Sequence, residues 1–134
     1  MALLKRLGAI GVLLLFVSGG SLFAQRQRWD FLGDSHVDGG RDHDNIRITR
    51  MQGMFRAIQF RVRGGSVEFD RVIVHFADGP SEPIHIRSRI PSGGSSGVID
   101  LPGRRRAINS IEFWYSKGNW ASNRRPQVQV YGLR

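Results

Sequence analysis

The sequence predicts an all-β fold, an antiparallel β-sandwich (jelly-roll-like) of about eight strands, with a barrel as second choice. Three observations lead there. Short β-branched and aromatic runs recur along the chain, separated by Gly, Pro, Asp and Ser clusters. Within them apolar and polar residues alternate with period two, as in strands with one buried and one wet face. No apolar stripe of helical period and no internal repeat is visible beyond residue 24.

The runs read as strands are Trp29–Leu32, Asn45–Thr49, Phe55–Arg63, Val67–Phe76, Ile84–Ser88, Gly97–Leu101, Ala107–Ser116 and Val128–Leu133. In the third, Ile58, Phe60 and Val62 oppose Gln59, Arg61 and Arg63. In the fourth, Val72, Val74 and Phe76 oppose Arg71, Ile73 and His75. Ile84 and Ile86 alternate with His85 and Arg87. Ile111, Phe113 and Tyr115 oppose Ser110, Glu112 and Trp114, and Val128 and Val130 oppose Gln127 and Gln129. Asp78-Gly79-Pro80 and the stretch from Pro91 to Gly97 are turns, because Gly supplies positive φ and Pro presets the bend.

The first 24 residues read as an address. Lys5 and Arg6 precede an apolar run from Leu7 to Val17, then a Gly/Ser stretch and Ala24, the layout of a secretory signal peptide. That run rises only about 17 Å as a helix, short of the roughly 30 Å hydrocarbon core, so it is not read as a membrane anchor. The division expected is therefore a signal peptide at 1–24 and a single domain at 25–134. No transmembrane segment is expected after cleavage, and the destination is the periplasm or the medium. Of 134 residues none is Cys, which excludes a disulfide scaffold, a Cys-ligated metal, a thiol nucleophile and a lipoprotein anchor. The core must then be the aliphatic and aromatic residues just named, and about 110 residues suffice for one.

The succession Leu32-Gly33, Asp42-His43-Asp44-Asn45-Ile46, Gly53-Met54-Phe55, Phe76-Ala77-Asp78-Gly79, Asp100-Leu101-Pro102-Gly103, Arg106-Ala107-Ile108 and Tyr131-Gly132 resembles a bacterial domain-of-unknown-function family of small exported proteins. The shared pattern is LG…DxDxI…DLxGxxRxI…YG, spread over nearly the whole mature chain. The resemblance implies an exported all-β domain and carries over no activity, cofactor, partner or functional residue.

Charge supplies the binding candidates. Beyond the leader stand 18 basic residues, 17 of them Arg, against 11 acidic ones. A GC-rich genome explains this, and so does a partner bearing phosphate or carboxylate, which the guanidinium fork grips in bidentate fashion. Arg104 and Arg105 follow the Leu101-Pro102-Gly103 turn, while Trp120 shares a loop with Arg124 and Arg125. Together they form a candidate stacking and charge surface for an anionic polysaccharide or the envelope surface. Export argues against an intracellular nucleic-acid partner. The alternative is a structural or interaction module pairing through a sheet edge.

The segment from Asp30 to Asp44 carries five acids and one Arg. Asp34, Asp38, Asp42 and Asp44 fall partly on a calcium-loop template, but His36 and Asn45 stand at ligand positions that want better donors. No cofactor is expected, with calcium as the alternative. His36 and His43 lack a third zinc ligand nearby. His75 and His85 read as surface residues. Ser95 and Ser96 lie outside any nucleophile elbow, and nothing in the sequence brings Glu68 and Glu112 to glycosidase spacing, so no enzyme activity is expected. Arg106, at the mouth of an apolar alternation, is expected to be partly buried and paired with Asp42 or Asp44, leaving Arg104 and Arg105 exposed. One outcome can be checked on the exported protein itself. Its intact mass should begin at Gln25, and finding Met1 would contradict the leader assignment.

Overall fold

A computed structural model describes residues 28–37, 43–86, 89–116 and 125–134, apart from the side chain of Arg50. Ten strands occur among the described residues: β1 Trp29–His36, β2 His43–Arg47, β3 Met54–Phe55, β4 Ala57–Arg63, β5 Val67–Phe76, β6 Ser81–Pro83, β7 Arg89–Ile90, β8 Ile99–Asp100, β9 Arg106–Ser116 and β10 Gln127–Leu133. One 3-10 turn precedes β3. The strands form two antiparallel sheets and no closed barrel, so the sandwich is the fold. One sheet has the order β1-β10-β4-β8 and the other β2-β9-β5-β6, with β3 against β9 and β7 against β5.

Alternation decides what each sheet buries. Ile58, Phe60 and Val62 of β4 and Val128 and Val130 of β10 face inward and are fully buried. Opposite them lie Val72 and Val74 of β5 and Ile111, Phe113 and Tyr115 of β9, also buried. Phe60 meets Phe69 at 5.7 Å between ring centroids, and Phe69 meets Phe113 at 5.7 Å, so an aromatic seam joins the sheets. In β5 the alternation breaks at Asp70-Arg71, where the register against β9 shifts between Phe69 and Arg71. This bulge keeps Phe69 and Val72 both inward.

Several expected strands differ. The run Phe55–Arg63 divides at Arg56 into β3, which pairs with β9, and β4, which pairs with β10, and Gly97–Leu101 shortens to β8. β1 runs on from Leu32 to His36, because the register against β10 shifts between Phe31 and Gly33, with Leu32 as the extra residue of a bulge and Gly33 paired to Val130. Ile84–Ser88 does not form a strand over residues 84–86, and residues 87–88 lie outside the described ones. The ladder ends with Pro83, which has no N–H to donate. Ile84 N still donates to Val72 O at 3.0 Å, and Ile84 and Ile86 pack on the core.

Gly132 lies in the middle of this packing. A Cβ there would stand 2.6 Å from Phe55 Cδ1 and 2.9 Å from Leu32 Cδ1. Gly132→Ala is therefore expected to destabilise by about 1–3 kcal/mol through overpacking. Urea melts check it, and an unchanged midpoint would show that Phe55 has room to move.

Candidate functional site

The outer face of the β1-β10-β4 sheet gathers polar and aromatic side chains into cross-strand rows. Phe31, Tyr131 and Gln59 stand side by side in one row. Asp34, Gln129 and Arg61 form the next, continued by a bridge from Arg61 to Ser95. His36, Gln127 and Arg63 form the third. Their inward neighbours are the buried Phe60, Val62, Val128 and Val130, so period two obliges these residues to face out.

The rows are locked together. Arg61 lies with its guanidinium carbon 3.8 Å from the Tyr131 ring centroid, and its Nε donates to Gln59 Oε1 at 2.9 Å. Phe31 meets Tyr131 edge-on at 5.5 Å and is 49% exposed, more than Tyr131 beside it. Gln127 Nε2 donates to Asp34 Oδ2 at 2.5 Å. A groove of about 470 Å³ runs along Arg61, Arg63, Gln129, Tyr131 and Ser95.

The Pro91–Gly97 stretch supplies the groove's wall. Gly93 N donates to Val62 O at 2.8 Å, Val62 N to Gly94 O at 3.0 Å, and Ser96 N to Phe60 O at 2.9 Å. Gly93 makes the turn at φ 80°. Ser96 Oγ accepts from Phe60 N at 2.9 Å, which employs it in holding the loop to β4.

A second polar cluster lies on the outer face of the other sheet. Glu112 receives His75 Nε2 at 2.8 Å on one oxygen and His43 Nε2 at 2.6 Å on the other. His75 Nδ1 also meets Ser81 Oγ at 2.7 Å, so four strands are tied through one carboxylate and two imidazoles. His43 stacks on Trp114 at 4.6 Å, with Arg71 over the same ring at 5.0 Å. The two imidazoles take different carboxylate oxygens instead of meeting at one point. No group of three His, Asp or Glu among the described residues has the convergence a metal needs.

The sequence-derived candidates do not gather into one face. Arg104 and Arg105 are exposed just ahead of β9, and Arg125 is exposed just ahead of β10. β10 begins opposite Arg63 and ends opposite Ala57, whereas β9 begins opposite Phe55, so these arginines lie at opposite ends of the sandwich. The separation is on the order of 25 Å at about 3.4 Å per residue. Trp120 and Arg124 lie outside the described residues. Asp38 and Asp42 do too. Of the other calcium candidates, Asp34 faces outward beside Gln129, while Asp44 accepts from Ser35 Oγ on the opposite side of β1. Those two carboxylates do not converge.

Arg106 is partly buried, with another partner than expected. Its Nη2 donates to Asp78 Oδ1 at 3.0 Å, and its guanidinium lies 3.5 Å from the Phe76 ring centroid. Register explains why Asp44 is not the partner. Asp44 stands opposite Phe113, seven residues and about 24 Å along β9 from Arg106.

Residues 9–132 match the family described as Domain of unknown function (DUF2541). The chain belongs to that family. The search of curated proteins finds no match. Among solved structures it is similar to AlgX of Pseudomonas aeruginosa, at 9% identity and TM-score 0.50, over 80% of this chain and 27% of AlgX. It thus spans about a quarter of AlgX, and the likeness concerns fold alone. Two mutants of CBM29-2, a family 29 carbohydrate binding module, match at 14% identity and TM-score 0.36. They cover 80% and 81% of this chain and 79% and 91% of theirs, and nothing about this chain follows from so low a TM-score.

The hydrogen bond from His75 is the largest influence on Glu112 and lowers its carboxyl below the ordinary 4.5; burial pushes it up, and His43 lowers it again. Because the folded value lies below the unfolded one, this contribution is present above about pH 4.5 and lost as pH falls through the folded value. Glu112→Gln should be less stable than the parent in urea at neutral pH, and the gap should shrink well below pH 4.5. A gap independent of pH would show that the carboxylate charge is not what holds the strands.

Proposed function

We propose that this protein is an exported, non-enzymatic module that binds an acidic polysaccharide on the outer face of β1, β10 and β4. The observation that carries this reading is the half-exposed Phe31, set beside Tyr131 and Arg61 at the head of two hydrogen-bonding rows. A sugar ring offers an apolar C–H face and an equatorial rim of hydroxyls. Phe31 provides a surface for the first, and Gln129, Gln59, Asp34 and Ser95 provide donors and acceptors for the second. Arg61 spends Nε on Gln59, which leaves its η-nitrogens to grip a carboxylate. Arg63 adds a second charge one row along.

The surface is open and laid across paired strands, which suits an extended chain better than a small substrate needing enclosure. Pairing with a partner through a sheet edge is less favoured. Of the edge strands, β6 and β8 are two or three residues long and β2 five, and Gln52 Nε2 donates to Leu32 O beside the β1 bulge at 3.2 Å.

Calorimetric titration of the mature protein with acidic and neutral oligosaccharides tests the reading. Acidic chains should bind more tightly and weaken with salt. Phe31→Ala and Arg61→Ala should each lose about tenfold or more in affinity, with little change in stability for the exposed Phe31. Undiminished binding in both variants, or no binding to any polysaccharide, would overturn it.

A further inference from the structure

A different surface lies at the end of the sandwich where β9 begins. Met51 is 96% exposed in the 3-10 turn, and Met54 is 50% exposed in β3 beside Ala107. Two exposed methionines in one short segment place apolar surface beside the charges at this end. At the same end Arg56, Arg104 and Arg105 surround an open depression of about 370 Å³. The segment is held in place. Leu101 N donates to Arg56 O at 2.9 Å, and Gly103 at φ 88° turns the chain so that Arg104 and Arg105 follow directly.

Charge at this end is one-sided. Asp78 is taken by Arg106, and Asp30 by Arg134 and Arg28. Asp100 is the carboxylate that lines the depression with the three arginines. Arg104 and Arg105 have no acidic partner among the described residues, and both are exposed.

We infer that this end docks the domain on an anionic lipid surface, the arginines against headgroup phosphates and the two methionines in the boundary beneath. The pairing of the two kinds of residue is what selects a membrane. Free phosphate or a polyanion would engage the arginines and leave the methionines in water, whereas a lipid boundary takes both. Methionine's unbranched, polarizable side chain adapts to such an irregular apolar medium. This surface is separate from the polysaccharide face on β1, β10 and β4, and either can fail without the other.

Cosedimentation of the mature protein with phosphatidylcholine vesicles, with and without phosphatidylglycerol, tests the inference. Binding should require phosphatidylglycerol. An Arg104→Ala, Arg105→Ala double variant should partition about 30-fold less, at about 1 kcal/mol for each arginine near the surface. Met51→Ser with Met54→Ser should also weaken binding severalfold, while Arg89→Ala at the far end should do less than either pair. Three results would overturn it: equal binding to neutral vesicles, wild-type partitioning of the methionine variant, or equal displacement by inorganic phosphate.

Discussion

The contact between Phe60 of one sheet and Phe69 of the other orients the side chains around it. With Phe60 committed inward, Gln59 and Arg61 must face out, and the same holds for Gln129 beside Val130. A slip of one residue in β4 or β10 would bury Arg61 or Gln129 and expose Phe60 or Val130, so core packing also sets the polar face. The bulge at Asp70-Arg71 serves the same end. Without it Phe69 and Val72, an odd number apart, could not both reach the core.

The positions shared with the family pattern find structural reasons here. Gly33 admits the side chain of Ile46, since a Cβ would stand 2.7 Å from Ile46 Cγ2. Gly132 leaves room for Phe55 and Leu32. Gly53, at φ 98°, adopts a backbone conformation that side-chain-bearing residues rarely take. Phe76, Asp78 and Arg106 form one stacked and paired unit between the end of β5 and the start of β9. These residues make the sandwich close. The rows proposed to contact sugar lie elsewhere, apart from Tyr131, which supports Arg61.

Much of the fold was legible because alternation is local. The inward sets of β4, β5, β9 and β10 could be named from composition and period alone, and Gln127, Gln129 and Arg61 could be read as outward. What period two cannot supply is which strands are neighbours. That β10 lies between β1 and β4 depends on long-range pairing, and it is this order that brings Phe31, Tyr131, Gln129 and Arg61 together. Arg106 illustrates the same limit. Its partial burial followed from its place before an apolar run, but its partner depended on the register of β9 against β5 and β2, which places Asp78 close and Asp44 seven residues away. The consecutive polar pair Asp70-Arg71 was the visible sign of the β5 bulge.

Residue-resolved mapping of a bound ligand tests the central claim most directly. Amide shifts of residues 25–134, followed by NMR during titration with an acidic oligosaccharide, should move together at Phe31, Asp34, Arg61, Ser95, Gln129 and Tyr131. The amides around His75, Glu112 and Trp114 on the opposite sheet should stay still. Movement confined to that opposite sheet, or to Arg104 and Arg105 at the end of the sandwich, would contradict the assignment of the binding face.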